Sequence, residues 1–223
     1  MKTLLWDIDG TLLTTKGAGA LPFKDSIEEF LNCKIQFDRV KQSGLTDHEI
    51  VKLHIKLNKL EKTHSHLINE IVDHYAAKLR DTLQMFPVQI YPGIRELLAR
   101  LKSTSGFDLA IATGNCKLGA REKLISGDLL KYFDQSRIFC SEDTEPRSEI
   151  LKRAISGMRT TSQSSIVLGD TLHDWNAARE LSIPFILVIN EKSQVTHDFA
   201  TIDCASIGPS WNTHEFEKMI YAV

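Results

Sequence analysis

The run Leu4-Leu5-Trp6 stops abruptly at Asp7-Ile8-Asp9-Gly10-Thr11. An apolar run this short, closed by acids and a glycine, reads as a buried strand rather than a helix. Side chains alternate along a strand, so Asp7 and Asp9 leave its carboxyl end pointing the same way, and Gly10 lets the chain turn sharply just after them. Two carboxylates at the mouth of a sheet can hold a hard cation such as Mg²⁺, and one of them can attack phosphorus as a nucleophile. The plainer alternative is a strand followed by an Asx-type turn, with both acids merely solvated.

Strand–helix alternation resumes after Tyr91-Pro92-Gly93. Ile94, Leu97, Leu98 and Leu101 mark one helix face. The spacing then predicts strands at Phe107–Ala112, Arg137–Cys140, Ser165–Leu168 and Phe185–Ile189. A helix after Pro146 carries Ile150, Leu151, Ala154 and Ile155, and another spans Trp175 to Leu181. Continuous apolar strands separated by helices predict a parallel sheet covered on both faces, an α/β doubly wound, Rossmann-like core. Ligands of such sheets bind at the carboxyl ends of the strands, near the topological switch point.

Between the first strand and this core lies an all-helical stretch. Phe23, Ile27, Phe30 and Leu31 mark one helix. A second begins at Thr46, where Thr46-Asp47-His48-Glu49 fits a capping box, with Ile50, Leu53, Leu57 and Leu60 as its expected stripe. A third carries Ile68, Ile71, Val72, Tyr75 and Leu79. The expected organisation is a core of residues 1–15 and 87–223 with residues 16–86 inserted, Gly17-Ala18-Gly19 serving as the hinge. The histidines of the insertion, His48, His54, His64, His66 and His74, read as a wet helix surface. His64-x-His66 lacks the acid or cysteine partners of a zinc site. Trp6 reads as core packing.

The 223 residues suit one α/β domain with an insertion or two small domains, and 42% hydrophobic residues allow a proper core. A net charge of −2 gives no bulk signal for nucleic acid or a membrane surface. Cys33, Cys116, Cys140 and Cys204 are widely spaced and form no C-x-x-C, as expected of reduced thiols in a cytoplasmic protein. The first apolar stretch is too short for a signal peptide, and no run approaches membrane length. There is no internal repeat.

Three further strand ends are polar. Thr113-Gly114-Asn115 offers a hydroxyl and backbone N–H groups at a helix start, where a phosphate oxygen could sit, though the same tripeptide is an ordinary turn and cap. Gly169-Asp170-Thr171-Leu172-His173-Asp174 adds two acids. With Asp7 and Asp9 they would make a charge cluster that needs a cation, although Asp174 could simply cap its helix. Glu145-Pro146-Arg147 puts a cation at a helix start, within reach of a phosphate or else just solvated.

D-x-D-G-T, a strand-end Thr, a basic residue before a helix and G-D-x-x-x-D, in that order, resemble the haloacid dehalogenase superfamily. The match covers residues 1–14 and 88–190, and the helical stretch between resembles that family's small helical cap. The resemblance implies a Mg²⁺-dependent phosphatase acting on a small phosphorylated metabolite, with neither nucleic acid nor membrane as partner, as a monomer or weak dimer. It implies Asp7 as nucleophile and Mg²⁺ ligand, and Asp9 as general acid/base with its backbone carbonyl on the metal. Thr113, Gly114 and Asn115 would hold the phosphoryl oxygens, Asp170 would ligate Mg²⁺ directly, and Asp174 would do so through water.

The family's third motif usually supplies Lys, whereas this chain reads Glu145-Pro146-Arg147-Ser148-Glu149, so Arg147 is the candidate and Lys152 the fallback. Gly44-Leu45-Thr46-Asp47 is similar to the specificity loop of phosphoglycolate-phosphatase-like members, which makes Gly44, Thr46 and Asp47 candidate substrate contacts. Read on residues alone, it is a glycine turn plus a capping box. A dehalogenase would lack the second acid. Two rival readings remain, a phosphomutase of the β-phosphoglucomutase type and a weakly catalytic phosphate-binding module.

Overall fold

The computed structural model describes residues 1–143, 145–190, 204–208, 211 and 213–222; the remainder of the expected core span 87–223 lies outside the described residues. Strand β1 (Lys2–Trp6) runs into the D-x-D turn, and β2 (Leu13–Thr14) leads to the insertion. The insertion carries α1 (Ala20–Leu31), α2 (Asp47–Leu57), the single turn α3 (Glu61–His64) and α4 (Ile68–Met85). The chain returns through β3 (Gln89–Ile90), which pairs antiparallel with β2, so the two crossings into and out of the helices are hydrogen-bonded to each other. Then follow α5 (Ile94–Ser103), β4 (Phe107–Cys116), α6 (Lys117–Ser126), β5 (Ile138–Ser141), α7 (Arg147–Met158), β6 (Ser165–Gly169), α8 (Leu172–Glu180), β7 (Phe185–Val188), β8 (Ala205–Ile207) and α9 (Thr213–Ala222).

The main sheet has the order β5-β4-β1-β6-β7-β8, and every pairing in it is parallel. The chain builds outward from β1 on one side through β4 and β5, then returns to the other side with β6. The switch point therefore lies at the carboxyl ends of β1, β4 and β6, where a doubly wound sheet opens a crevice.

Each central strand serves two cores. Leu4 and Trp6 pack with the inward faces of α5, α6 and α9, while Leu5 packs with those of α7 and α8. Burial on both faces explains why these strands read as continuous apolar runs rather than alternating ones. Trp6 is fully buried against Trp211 and Phe216, at ring distances of 5.3 and 5.6 Å. The insertion is built around a second cluster, in which Phe23 stacks on Tyr75 at 4.0 Å, and this cluster continues onto Cys116 of β4 and Leu118 of α6.

Several expectations are corrected. In α2 the buried face is Asp47, His48, Ile50, Val51, His54 and Ile55; Leu53 and Leu57 are exposed, and Leu60 lies beyond the helix end. His48 and His54 are buried rather than wet: His54 stacks on Phe37 at 5.3 Å, and His48 Nδ1 lies 2.8 Å from Ser141 Oγ on β5. Helix α2 is clamped between the insertion's core and the sheet, so its contacts override the leucine stripe. Strand β4 runs through Thr113, Gly114 and Asn115 to Cys116, four residues past the expected end. Among the described residues no helix is long and apolar enough to cross a membrane, and the four cysteines are free thiols.

Candidate active site

The carboxyl ends of β1, β4 and β6 enclose a cavity of about 280 Å³ whose roof is the Gln42–Asp47 segment of the insertion. Asp7 is buried beneath it. Arg147, the first residue of α7, donates from Nη2 to Asp7 Oδ1 at 2.6 Å, pairs through Nε with Asp174 Oδ1 at 2.6 Å, and donates from Nη1 to the Gly44 carbonyl at 3.2 Å. One planar guanidinium thus ties two core acids to the insertion, a division of donors that an ammonium on a flexible stem does not reproduce. Lys152, the fallback cation, faces solvent and pairs with Glu149 at 2.6 Å.

Asp170 follows β6 and sits against Gly10. A Cβ at Gly10 would lie 2.0 Å from Asp170 Oδ2, and φ is +82° there, so a side chain at this turn is excluded twice over. Asn190, just after β7, donates from Nδ2 to the Gly10 carbonyl at 2.6 Å and to Asp170 Oδ2 at 3.0 Å. Asp174 closes a capping box with Thr171 at the start of α8, which occupies Oδ2, while Oδ1 reaches Arg147. The N-cap of α8 is Thr171 rather than Asp174, which stands at the third position of the box and also belongs to the acidic group.

Carboxylate oxygens of Asp7, Asp170 and Asp174 all lie within 4.8 Å of one another. Burial pushes the Asp7 carboxyl up to about 7, with Asp174 and Asp9 adding to the rise and Arg147 and the Thr113 hydroxyl opposing it. Asp170 moves well above the usual carboxylate range, first through burial and then through Asp174 and Asp7. Three carboxylates against one guanidinium leave two negative charges, which protons or one divalent cation can neutralise. Asp170 Oδ1 is buried with no hydrogen-bond partner. An orphaned oxygen among hard oxygen donors fits a cation such as Mg²⁺. The Asp9 carboxylate is not part of this group.

Asp9 instead turns toward β4 and α6. Its Oδ2 accepts from Lys123 Nζ at 2.6 Å and from Asn115 Nδ2 at 2.7 Å, and Asn115 Nδ2 also reaches Thr113 Oγ1 at 2.9 Å. Thr113 is fully buried and hydrogen-bonds the Asp7 side chain. Gly114 lies under the Arg147 guanidinium and the Leu45 carbonyl.

The roof residues divide. Gly44, at φ +81°, touches the core so closely that a Cβ would lie 2.5 Å from His173 Cδ2. Asp47 lines the cavity and accepts from the Cys116 N–H at 2.8 Å, and burial raises its carboxyl. Thr46 is the N-cap of α2: its hydroxyl is taken by the Glu49 N–H, and it does not line the cavity. Helix capping, not substrate contact, is its visible work.

Lys123 and Asn190 were not singled out in the sequence. Asn190 had no local signal. Lys123 had one: it shares the inward face of α6 with Ala120 and Leu124, where an apolar residue is expected.

A family model described as haloacid dehalogenase-like hydrolase matches residues 4–188. A phosphoglycolate phosphatase of Agrobacterium fabrum is 25% identical over 215 residues, 89% of each chain. Among solved structures, a β-phosphoglucomutase from Clostridium difficile superposes with a TM-score of 0.73 at 15% identity, over 100% of this chain and 98% of its own. CbbY from Rhodobacter sphaeroides, crystallised with phosphate, gives 0.71 at 17% identity over 93% of both chains. With the acids, the threonine and the basic residue gathered at one switch point and a family model spanning most of the sequence, the chain belongs to the haloacid dehalogenase-like hydrolases.

Proposed function

We propose that this phosphoric monoester hydrolase cleaves a small phosphate monoester through an aspartyl-phosphate on Asp7, with Mg²⁺ as cofactor and residues 16–86 as a cap. The observation that carries the reading is the asymmetry of the two acids. Asp7 is buried against Arg147 and the acidic group, whereas Asp9 lies across the cavity, 39% exposed, on a separate cation. Asp7 is held in place for attack, and Asp9, open to the cavity, is placed to exchange a proton with a departing group or a water.

Asp7, Asp170 and Asp174, with the Asp9 backbone carbonyl, would hold Mg²⁺, which when bound supplies positive charge against the acids and the phosphoryl group. An Asp7 carboxylate oxygen attacks phosphorus while Arg147, the Thr113 hydroxyl and the Gly114 and Asn115 amides hold the phosphoryl oxygens. Asp9 hands a proton to the departing oxygen. It then takes a proton from water as that water attacks the aspartyl-phosphate, releasing inorganic phosphate and restoring Asp7.

The cavity volume suits a small leaving group, and the resemblance of the Gly44–Asp47 loop supports phosphoglycolate as one member of the class. Fold likeness to a β-phosphoglucomutase keeps a mutase as the second reading. Phosphate release measured over a panel of phosphorylated metabolites, with Mg²⁺ and with EDTA, tests both. Release that needs Mg²⁺ supports the phosphatase. Migration of phosphate within a sugar without release supports the mutase, and no turnover of any alkyl or aryl phosphate would leave only a binding module.

A further inference from the structure

Of the cations that line the cavity among the described residues, Lys123 alone has no part in the scheme above. Its side chain is 7% exposed, yet it sits on the inward face of α6 where leucine or methionine would pack without a desolvation penalty. Burial disfavours the ammonium, but the carboxylates of Asp9 and Asp47 outweigh that and strengthen its hold on the proton. It donates to Asp9 Oδ2 at 2.6 Å and to Asn115 Oδ1 at 2.5 Å. Asn115 in turn donates to the same Asp9 oxygen at 2.7 Å. Lys123, Asn115 and Asp9 form a closed triangle in the cavity wall in which the lysine and the asparagine are buried and Asp9 is the more exposed member.

We propose that Lys123 is the positioning residue of Asp9. With Asn115 it fixes the Asp9 carboxyl on the leaving-group side of Asp7, where the proton is passed. The Asp47 carboxylate of the insertion docks on the Cys116 N–H, where α6 begins, and its charge faces the same ammonium. Closure of the insertion and placement of the acid therefore meet on one helix. The assignment rests on the aspartyl-phosphate reading, and it makes the contact of Lys123 with the reaction an indirect one: two of its three N–H donors go to Asp9 and Asn115.

The test exploits the leaving group. A nitrophenolate departs without a proton, whereas an alkoxide needs one from Asp9. The quantity to compare is kcat/KM, which ends at departure of the leaving group and excludes the later attack of water. For Lys123→Met, kcat/KM on glycerol 3-phosphate should fall on the order of 10²-fold, while that on p-nitrophenyl phosphate should change less than about threefold. Lys123→Gln, a milder change that keeps a polar group beside Asp9 but removes the charge, should give the same split at roughly tenfold, which covers the case of a misfolded Lys123→Met. In an Asp9→Asn background, Lys123→Met should add nothing. Equal losses on both substrates in folded variants, or no loss on either, would overturn the positioning role while leaving the phosphatase reading intact. Failure of the wild type to turn over either substrate would remove that reading first and this one with it.

Discussion

Asp7 and Asp9 leave one strand two residues apart, and almost everything around them differs. Asp7 is buried among Asp170, Asp174 and the Arg147 guanidinium. Asp9 is half-exposed and held by Lys123 and Asn115. The alternation of a strand delivers both acids to the same mouth. Which cation each meets is decided by helices on opposite faces of the sheet, α7 for Asp7 and α6 for Asp9. Motif spacing thus sets where the two acids stand, and the doubly wound topology sets which cation each of them meets.

The sharpest way to break this comparison is to exchange each carboxylate for its amide. Asp7→Asn should abolish phosphate release, because an amide of the same shape cannot form the phosphoryl ester. Asp9→Asn should fail chiefly on alkyl phosphates, retaining measurable cleavage of p-nitrophenyl phosphate in a single turnover. Folded Asp7→Asn protein with wild-type turnover would reject the nucleophile assignment. An identical substrate profile for the two variants would erase the division of labour.

Removing the cation of the Asp7 side comes next. Arg147→Ala should lower kcat/KM on the order of 10²–10³-fold, the scale of losing one preorganised donor to a developing anion. It should also destabilise the fold, because buried Asp7 and Asp174 lose their partner. Lys152→Ala, five residues along α7 and facing solvent, should leave both properties unchanged. A reversed ranking would move the third-motif role to Lys152.

The Asp7 side also makes a prediction about pH. The unfolded Asp7 carboxyl releases its proton near 3.8 and the folded one near 7, so between those values the folded state holds a proton that the unfolded state has lost. Raising pH through that window therefore destabilises the metal-free protein; below it the two states are protonated alike. Asp170 shifts in the same direction. In EDTA the melting temperature should fall by several degrees from pH 5 to pH 8 through this group. Mg²⁺ should raise it much more at pH 8, where no proton competes for the acids. Calorimetric scans at both values check this; a Mg²⁺ effect equal at pH 5 and pH 8 would mean that the carboxylates do not bind it.

The sequence carried most of the Asp7 side, and of the Asp9 side it carried Asp9 and Asn115 but not the lysine that holds them. Strands β1, β4 and β6 are buried on both faces and so announce themselves as apolar runs, and acids at strand ends stand out against them. Lys123 joins Asp9 across 114 residues, and a lysine on a helix ordinarily means solvent. Only its place beside Ala120 and Leu124 marked it. Asn190 braces Gly10 from 180 residues away with no local pattern at all. The two-residue strands β2 and β3 are too short to show a period. In α2, Leu53 and Leu57 suggested a stripe, but two buried histidines share the inward face, one on Phe37 and one on Ser141. Polar groups satisfied by distant partners are what a periodicity argument is least able to see.

The smallest effects separate two neighbouring residues of the roof. Gly44 is pressed on the core: its carbonyl accepts from Arg147, and any Cβ would strike His173 and Thr171. Gly44→Ala must therefore lift the loop, loosening the link between the insertion and the guanidinium on Asp7. It should cost roughly tenfold in kcat/KM on an alkyl phosphate, the scale of a closure defect worth about 1.4 kcal/mol. Thr46, two residues on, does not line the cavity and serves α2 through the Glu49 N–H. Thr46→Ala should cost about 1 kcal/mol of stability, as for any lost helix cap, with kcat/KM unchanged. Paired melting and kinetic measurements decide the matter. If Thr46→Ala lowered kcat/KM at unchanged stability, the hydroxyl would belong to the substrate after all. If Gly44→Ala had no kinetic effect, the hydrogen bond from Arg147 to the loop would be packing and not a coupling between closure and the nucleophile.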